Sequence, residues 1–152
     1  MQDASNRLGA ANYGNVTALR YVLKTDSTGA VIGGDSTSAV ASGDTVKVGI
    51  LPAGFRYFDA EVVVKTGMTA TVTADVGFAY VDGVDVTAVP QDADYFIDGG
   101  DAATAGRLRS TTGNASVVLP KDAWLTLTTG VAANAKASEL EIIVFAINEG
   151  VA

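Results

Sequence analysis

The side chains best placed for chemistry are six aspartates within a short stretch: Asp82, Asp85, Asp92, Asp94, Asp98 and Asp101. Carboxylates with glycine nearby can wrap calcium, which takes about six to eight oxygen ligands. Asp82-Gly83-Val84-Asp85 and Asp92-Ala93-Asp94 do not match the spaced calcium loop with its terminal glutamate. Two acids and a cleft would suffice for glycoside hydrolysis. Nothing fixes which pair, however, and a domain this small leaves little room for a sugar cleft. The plainer explanation is that these are solvated loop acids that cap turns. The chain has no histidine and no cysteine. Ser-His-Asp and Cys-His machinery, thiolate zinc sites and disulfides are therefore excluded. No Ser-x-x-Lys motif occurs, and Gly29-Ala30-Val31-Ile32-Gly33-Gly34 lacks the following lysine and helix of a phosphate loop. Trp124 and Tyr95 could stack on sugars or peptides, although a lone tryptophan beside a strand more often serves a core or a subunit contact. No catalytic, cofactor-binding or metal-binding residue is expected, and an enzyme is the weakest of the function classes.

The elements that must position these residues follow from composition and period. The chain has 152 residues, 48% hydrophobic and 18% charged, with 17 glycines. That is enough for one domain with many turns, as an all-β chain of short strands requires. No apolar run approaches the roughly 18 residues of a membrane span, and Met1-Gln2-Asp3 does not open a signal peptide. Folding in a reducing cytoplasm is expected from the missing cysteines. A net charge of −7 argues against gripping a nucleic-acid backbone, whose affinity comes largely from lysine and arginine.

Residues 54–78 carry the strongest strand signal. Val62, Val63 and Val64 are consecutive, which suits a central strand covered on both faces. Ala70, Val72, Ala74, Val76 and Phe78 then alternate with Thr69, Thr71, Thr73 and Asp75, the period of a half-buried antiparallel strand. Lys65-Thr66-Gly67-Met68 between them predicts a hairpin, with Gly67 at positive φ. Further strands are expected from about Val16 to Lys24, over residues 44–50, at Val117-Val118-Leu119, around Leu125 and Leu127, and over residues 139–147. In the last, Leu140, Ile142, Val144 and Ala146 face one way and Ile143, Phe145 and Ile147 the other, so burial on both sides is expected, either mid-sandwich or against another subunit. Residues 80–114 show no long period and read as an irregular excursion, with a helical turn at 101–105; loops this long usually serve function or assembly. Residues 1–15 read as an arm, flexible in the isolated chain and expected to be tied down by a neighbouring molecule.

Several short stretches carry a resemblance. Gly43-Asp44-Thr45-Val46-Lys47-Val48-Gly49, Leu51-Pro52-Ala53-Gly54, the Thr-Ala alternation ending Asp75-Val76-Gly77, and Asp92-Ala93-Asp94-Tyr95-Phe96-Ile97-Asp98-Gly99 followed by Ala105-Gly106 are four of them. The closing strand Leu140 to Ile147, with Asn148-Glu149-Gly150 behind it, is the fifth. Over residues 43–150 the chain resembles small structural proteins of tailed-phage heads; the arm lies outside the resemblance. What it implies is a capsid-associated decoration or cement protein sitting across capsomer junctions, often a trimer at threefold or quasi-threefold positions and sometimes a dimer. The resemblance carries over no catalytic or ligand residues. A tail or head-to-tail component would share many of these traits.

The sequence thus predicts an all-β protein: an antiparallel, jelly-roll-like β-sandwich over residues 16–152, an extended N-terminal arm at 1–15, and the excursion around 80–114. Its expected function is to bind the outside of a phage capsid and stabilise capsomer junctions, as a virion protein made in the host cytoplasm. The expected partners are the major capsid protein and further copies of itself, a trimer favoured over a dimer, with neither nucleic acid nor membrane. Leu8, Tyr13, Tyr95, Phe96 and Ile97 are the expected contact residues. A carbohydrate- or receptor-binding module, in which Trp124, Tyr95 and the loop aspartates form a calcium-assisted site, is the alternative.

Overall fold

The computed structural model describes residues 16–148, and every regular element among them is a strand. They are β1 (Val16–Thr25), β2 (Thr45–Leu51), β3 (Phe55–Thr66), β4 (Thr73–Tyr80), β5 (Asp92–Asp101), β6 (Gly106–Arg109), β7 (Val117–Val118), β8 (Ala123–Gly130) and β9 (Ser138–Asn148). One sheet has the order β1-β9-β3-β6, with β7 also on β3; the other has the order β2-β8-β4-β5. All pairings are antiparallel. The chain passes between the sheets so that sequence neighbours such as β1 and β2, or β8 and β9, face each other across the core. That interleaving is a jelly roll. The N-terminal arm expected at residues 1–15 lies outside the described residues.

The core is the set of inward rows that the period of two selects. Leu140, Ile142, Val144 and Ala146 of β9 are fully buried, as are Leu125 and Leu127 of β8 and Ala74 and Val76 of β4. Each large aliphatic side chain among them contributes roughly 1.5–3 kcal/mol by leaving water. In β3 both Tyr57 and Ala60 point inward although they are three apart, because the register against β9 shifts between Tyr57 and Asp59. A bulge of this kind inserts one residue and resets the alternation, which is why this stretch has an unclean pattern.

Three expectations are corrected. First, β3 and β4 do not form a hairpin; they lie in opposite sheets, and residues 67–72 cross the sandwich between them. The left-handed residue in this crossing is Thr71, φ 70°, and Gly67 is not among the positive-φ residues. Gly67 is needed for a different reason, since a Cβ there would stand 1.9 Å from the Ala103 carbonyl oxygen. Second, the region 80–114 is not one irregular excursion: it holds β5 and β6, and 101–105 is no helical turn. Asp101 Oδ1 instead accepts hydrogen bonds from the Ala103 and Thr104 amides, making an Asx turn. The period of β5 is hidden because its register against β4 shifts twice. Third, β9 is not enclosed mid-sandwich: one face is fully buried, while Ile143, Phe145 and Ile147 are half-buried on the outer face, the face that the expected subunit contact would cover.

Loops lock both ends. At one end, fully buried Asn134 donates to Thr25 Oγ1 and the Lys136 carbonyl, accepts from the Thr69 amide and hydroxyl, and sends its own amide to Val40. One amide side chain thereby joins three crossings between the sheets. At the other end Asp122 accepts from the Ala53 amide, and Lys121 holds Asp82 and the Val84 carbonyl while lying over the Tyr80 ring.

Candidate interaction surface

The fold disperses the six loop aspartates and gives most of them local work. Asp82 pairs with Lys121 at 2.7 Å and accepts the Val84 amide; these bonds, the Lys121 one first, hold its carboxyl below the usual range. Asp85 accepts the Val86 and Gln91 amides, and Asp101 closes its Asx turn, where bonding to Thr104 and then Ala103 lowers its pKa. Asp92 is the exception in sign: its hydrogen bond with the Asp94 carboxyl, and then partial burial, raise it. Among the described residues no group of three or more histidine, cysteine, aspartate or glutamate side chains is placed to hold a metal ion. The calcium-assisted arrangement is therefore not assembled here.

Trp124 and Tyr95 are also kept apart. Trp124 lies under Lys47, 5.5 Å from the ring centre, and lines an open groove of about 590 Å³ with Val31, Ile32, Asp35 and Asp44. Tyr95 does not line that groove. It packs edge-on against Phe78 and Phe96 and donates its hydroxyl to the Ala115 carbonyl. Of the other expected contact residues, Leu8 and Tyr13 lie outside the described residues. Phe96 and Ile97 are buried in the core of this chain, 3% and 0% exposed. Consecutive residues can both point inward here because β5 bulges. The large apolar side chains this region exposes are Val81 and Val84, on the loop between β4 and β5.

The extended exposed feature is the outer face of the β1-β9-β3-β6 sheet, which divides into two halves. Register places Val16 beside Ile147 and Ala18 beside Phe145, and Phe58 on the β3 bulge brings its ring to 6.3 Å from that of Phe145. Val16 is 61% and Phe58 41% exposed, and Ile143 extends the row. Together these side chains give this half of the sheet face an apolar character.

The other half is a ladder of ion pairs. Glu141 takes Arg20 at 2.6 Å and Lys65 at 3.3 Å, and Glu139 takes Lys65 at 3.1 Å and Lys24 at 3.5 Å. The hydrogen bond from Arg20, reinforced by Lys65, holds the Glu141 carboxyl down at about 2, and Lys65 lowers Glu139. Arg20 and Lys65 are correspondingly raised by hydrogen bonds to these glutamates. Beyond them Glu61, almost wholly buried, sits between Arg107 and Arg109 of β6. Alternating charge fixes the strand register but contributes little net stability on so exposed a face. The row Ile143, Phe145, Ile147 is legible in sequence; Phe58 is not, because only the bulge turns it outward.

Two solved structures contain chains of the same fold. A chain in the capsid of Ralstonia phage GP4 aligns with a TM-score of 0.63 at 19% identity, over 92% of this chain and 88% of that one. A chain in the capsid asymmetric unit of cyanophage Pam1 aligns with a TM-score of 0.61 at 17% identity, over 97% and 96%. At these identities the likeness is one of fold. No protein-family model and no curated protein matches the sequence.

Proposed function

We propose that this protein is a structural component of a phage virion that attaches to the outside of the capsid and braces the junctions between capsomers. The observation that carries the proposal is the two-way coverage, 97% and 96%, with a chain of the Pam1 capsid. The likeness is to a whole small chain, not to a domain inserted in a larger one. The apolar half of the outer sheet face supplies a docking surface, with Phe58 and Phe145 as its aromatic centre. Its partner is the major capsid protein. Residues 1–15, an arm by composition, are proposed to add reach, and copies of the chain to act together as a trimer or, second, a dimer. The protein binds and does not catalyse.

Co-sedimentation with capsids lacking the protein tests this. Phe58→Asp with Phe145→Asp should leave the circular dichroism spectrum unchanged and weaken attachment by about tenfold or more, since charged groups at the centre of an apolar contact cost several kcal/mol when unpaired. Unchanged attachment removes this face from the mechanism. A carbohydrate- or receptor-binding role is the second reading, favoured by the groove beside Trp124. Glycan binding abolished by Trp124→Ala, with no capsid attachment, is the outcome that selects it.

A further inference from the structure

β1 is an edge strand with an open side. It pairs with β9 alone, in unbroken register from Val16 beside Ile147 to Thr25 beside Ser138. On the side away from β9, the Lys24 carbonyl accepts the Ile32 amide. Backbone direction alternates along a strand, so Val22, Arg20, Ala18 and Val16 send their N–H and C=O groups the same way. Among the described residues no backbone group meets those four there. The usual devices that blunt an edge are missing, since β1 holds neither a proline nor a bulge. Its cations do not guard it either: Arg20 and Lys24 reach across the outer face to Glu141 and Glu139 of β9. The other edges are treated differently. β2 is bulged between Lys47 and Gly49, and residues 110–114 cover β5 by donating to the Tyr95 and Phe96 carbonyls. Cover is incomplete at the side chains of β1 as well, with Leu19 and Tyr21 half-buried on the inner side and Val16 and Val22 exposed on the outer one.

We infer that residues 1–13 of the same chain occupy this edge, added antiparallel to β1. The segment leads directly into Val16 through Gly14 and Asn15. Extended, it reaches about 43–47 Å, against about 34 Å for the whole of β1. Gly14-Asn15 is a pair that closes two-residue hairpins, the glycine supplying the positive φ of the first turn position. Such a turn bonds the amide of the residue after it to the carbonyl of the residue before it, so Val16 must direct its N–H toward the added strand. The alternation along β1 does direct it there. The register that follows sets Tyr13 beside Val16, Gly9 beside Arg20 and Arg7 beside Val22 on the outer face. On the inner face Ala10 falls beside Leu19 and Leu8 beside Tyr21. Gly9 leaves room for the Arg20–Glu141 pair, and Leu8 supplies apolar cover next to the half-buried Tyr21. Alanine and glycine give the segment little strand propensity of its own, so it depends on the existing edge. An arm laid on the β1 of a neighbouring copy would satisfy the same backbone groups but would have no use for a tight turn at Gly14-Asn15.

This pairing stands whether or not the chain binds a capsid; where it does, the reach that the arm adds is lateral, with Tyr13 widening the docking face beside Val16. A disulfide trap in the full chain tests it, and the absence of native cysteine keeps the readout clean. Ala10→Cys with Leu19→Cys sets two thiols directly opposite on one face, at the Cα spacing of about 4.5 Å of a non-hydrogen-bonded pair. Ala10→Cys with Ala18→Cys sets them on opposite faces. Under mild oxidation the first variant should close an intrachain disulfide at least about tenfold faster than the second. Equal rates overturn the inference, and so does a disulfide that joins two chains. Hydrogen exchange gives a second measurement that leaves Leu19 in place. The Ala18, Arg20 and Val22 amides of the wild type should exchange at least about tenfold more slowly than those of a chain lacking residues 1–15. Equal exchange in the two chains also overturns it.

Discussion

At the scale of single residues the fold depends on a few buried polar groups and tolerates an exposed ladder. Asn134 is the clearest case. Its side chain satisfies Thr25, Thr69 and Lys136 at once inside a fully buried position. Asn134→Ala should cost about 2–3 kcal/mol, read as a lower urea midpoint, because several partners are left unpaired. The Glu141 carboxyl gives a pH signature. It is held at about 2 in the folded chain against 4.5 as its ordinary value, so the unfolded chain binds the proton more tightly. Its contribution is complete above about pH 4.5 and is lost as pH falls toward 2. Glu139, Asp82 and Asp101 are also lowered and act in the same direction; Asp92, raised by Asp94, opposes them. Thermal melts from pH 7 to pH 2 should show the wild type losing stability on acidification. The gap between wild type and Glu141→Gln should close toward pH 2; a constant gap would remove this carboxylate from the acid response.

At the scale of elements, side-chain periods were readable and connections were not. The inward rows of β4, β8 and β9 follow from the alternation of valine, leucine and isoleucine with threonine and glutamate, and burial selects the same residues. What the alternation does not give is which strand pairs with which. Lys65-Thr66-Gly67-Met68 reads as a hairpin turn and Thr69 onward as strand, whereas the crossing runs to residue 72 and the need for glycine at 67 is close approach to the Ala103 backbone across the sandwich. β5 reads as loop because register shifts bring Phe96 and Ile97 inward together, a tertiary effect that breaks the local period. Gly77 tests this. A Cβ there would stand 2.0 Å from the Asp92 carbonyl oxygen, so Gly77→Ala should force β5 off β4 and cost more than about 1–3 kcal/mol, the range for overpacking. Hydrogen exchange should rise first in residues 92–101. Protection equal to wild type there would contradict the packing described.

At the scale of the whole molecule, a jelly-roll-like sandwich is the expectation from the sequence and the fold observed, while the order of strands in each sheet is set by pairings that the sequence does not display. The contact surface was less legible. Leu8 and Tyr13 lie outside the described residues, while the exposed patch around Phe58 and Phe145 exists only because a bulge and a strand pairing place two distant residues side by side. Removing residues 1–15 should leave the melting temperature within about 2–4 °C of wild type, the change expected for about 1 kcal/mol in a domain of this size, while weakening attachment. Full attachment by the truncated chain would assign the contact to the sheet face alone. The most direct test is cryo-electron microscopy of capsids lacking this protein after the purified chain has been added back. The expected image shows jelly-roll density on the outer surface at capsomer junctions, with the Phe58–Phe145 face toward the shell. Bare capsids at saturating protein would contradict it.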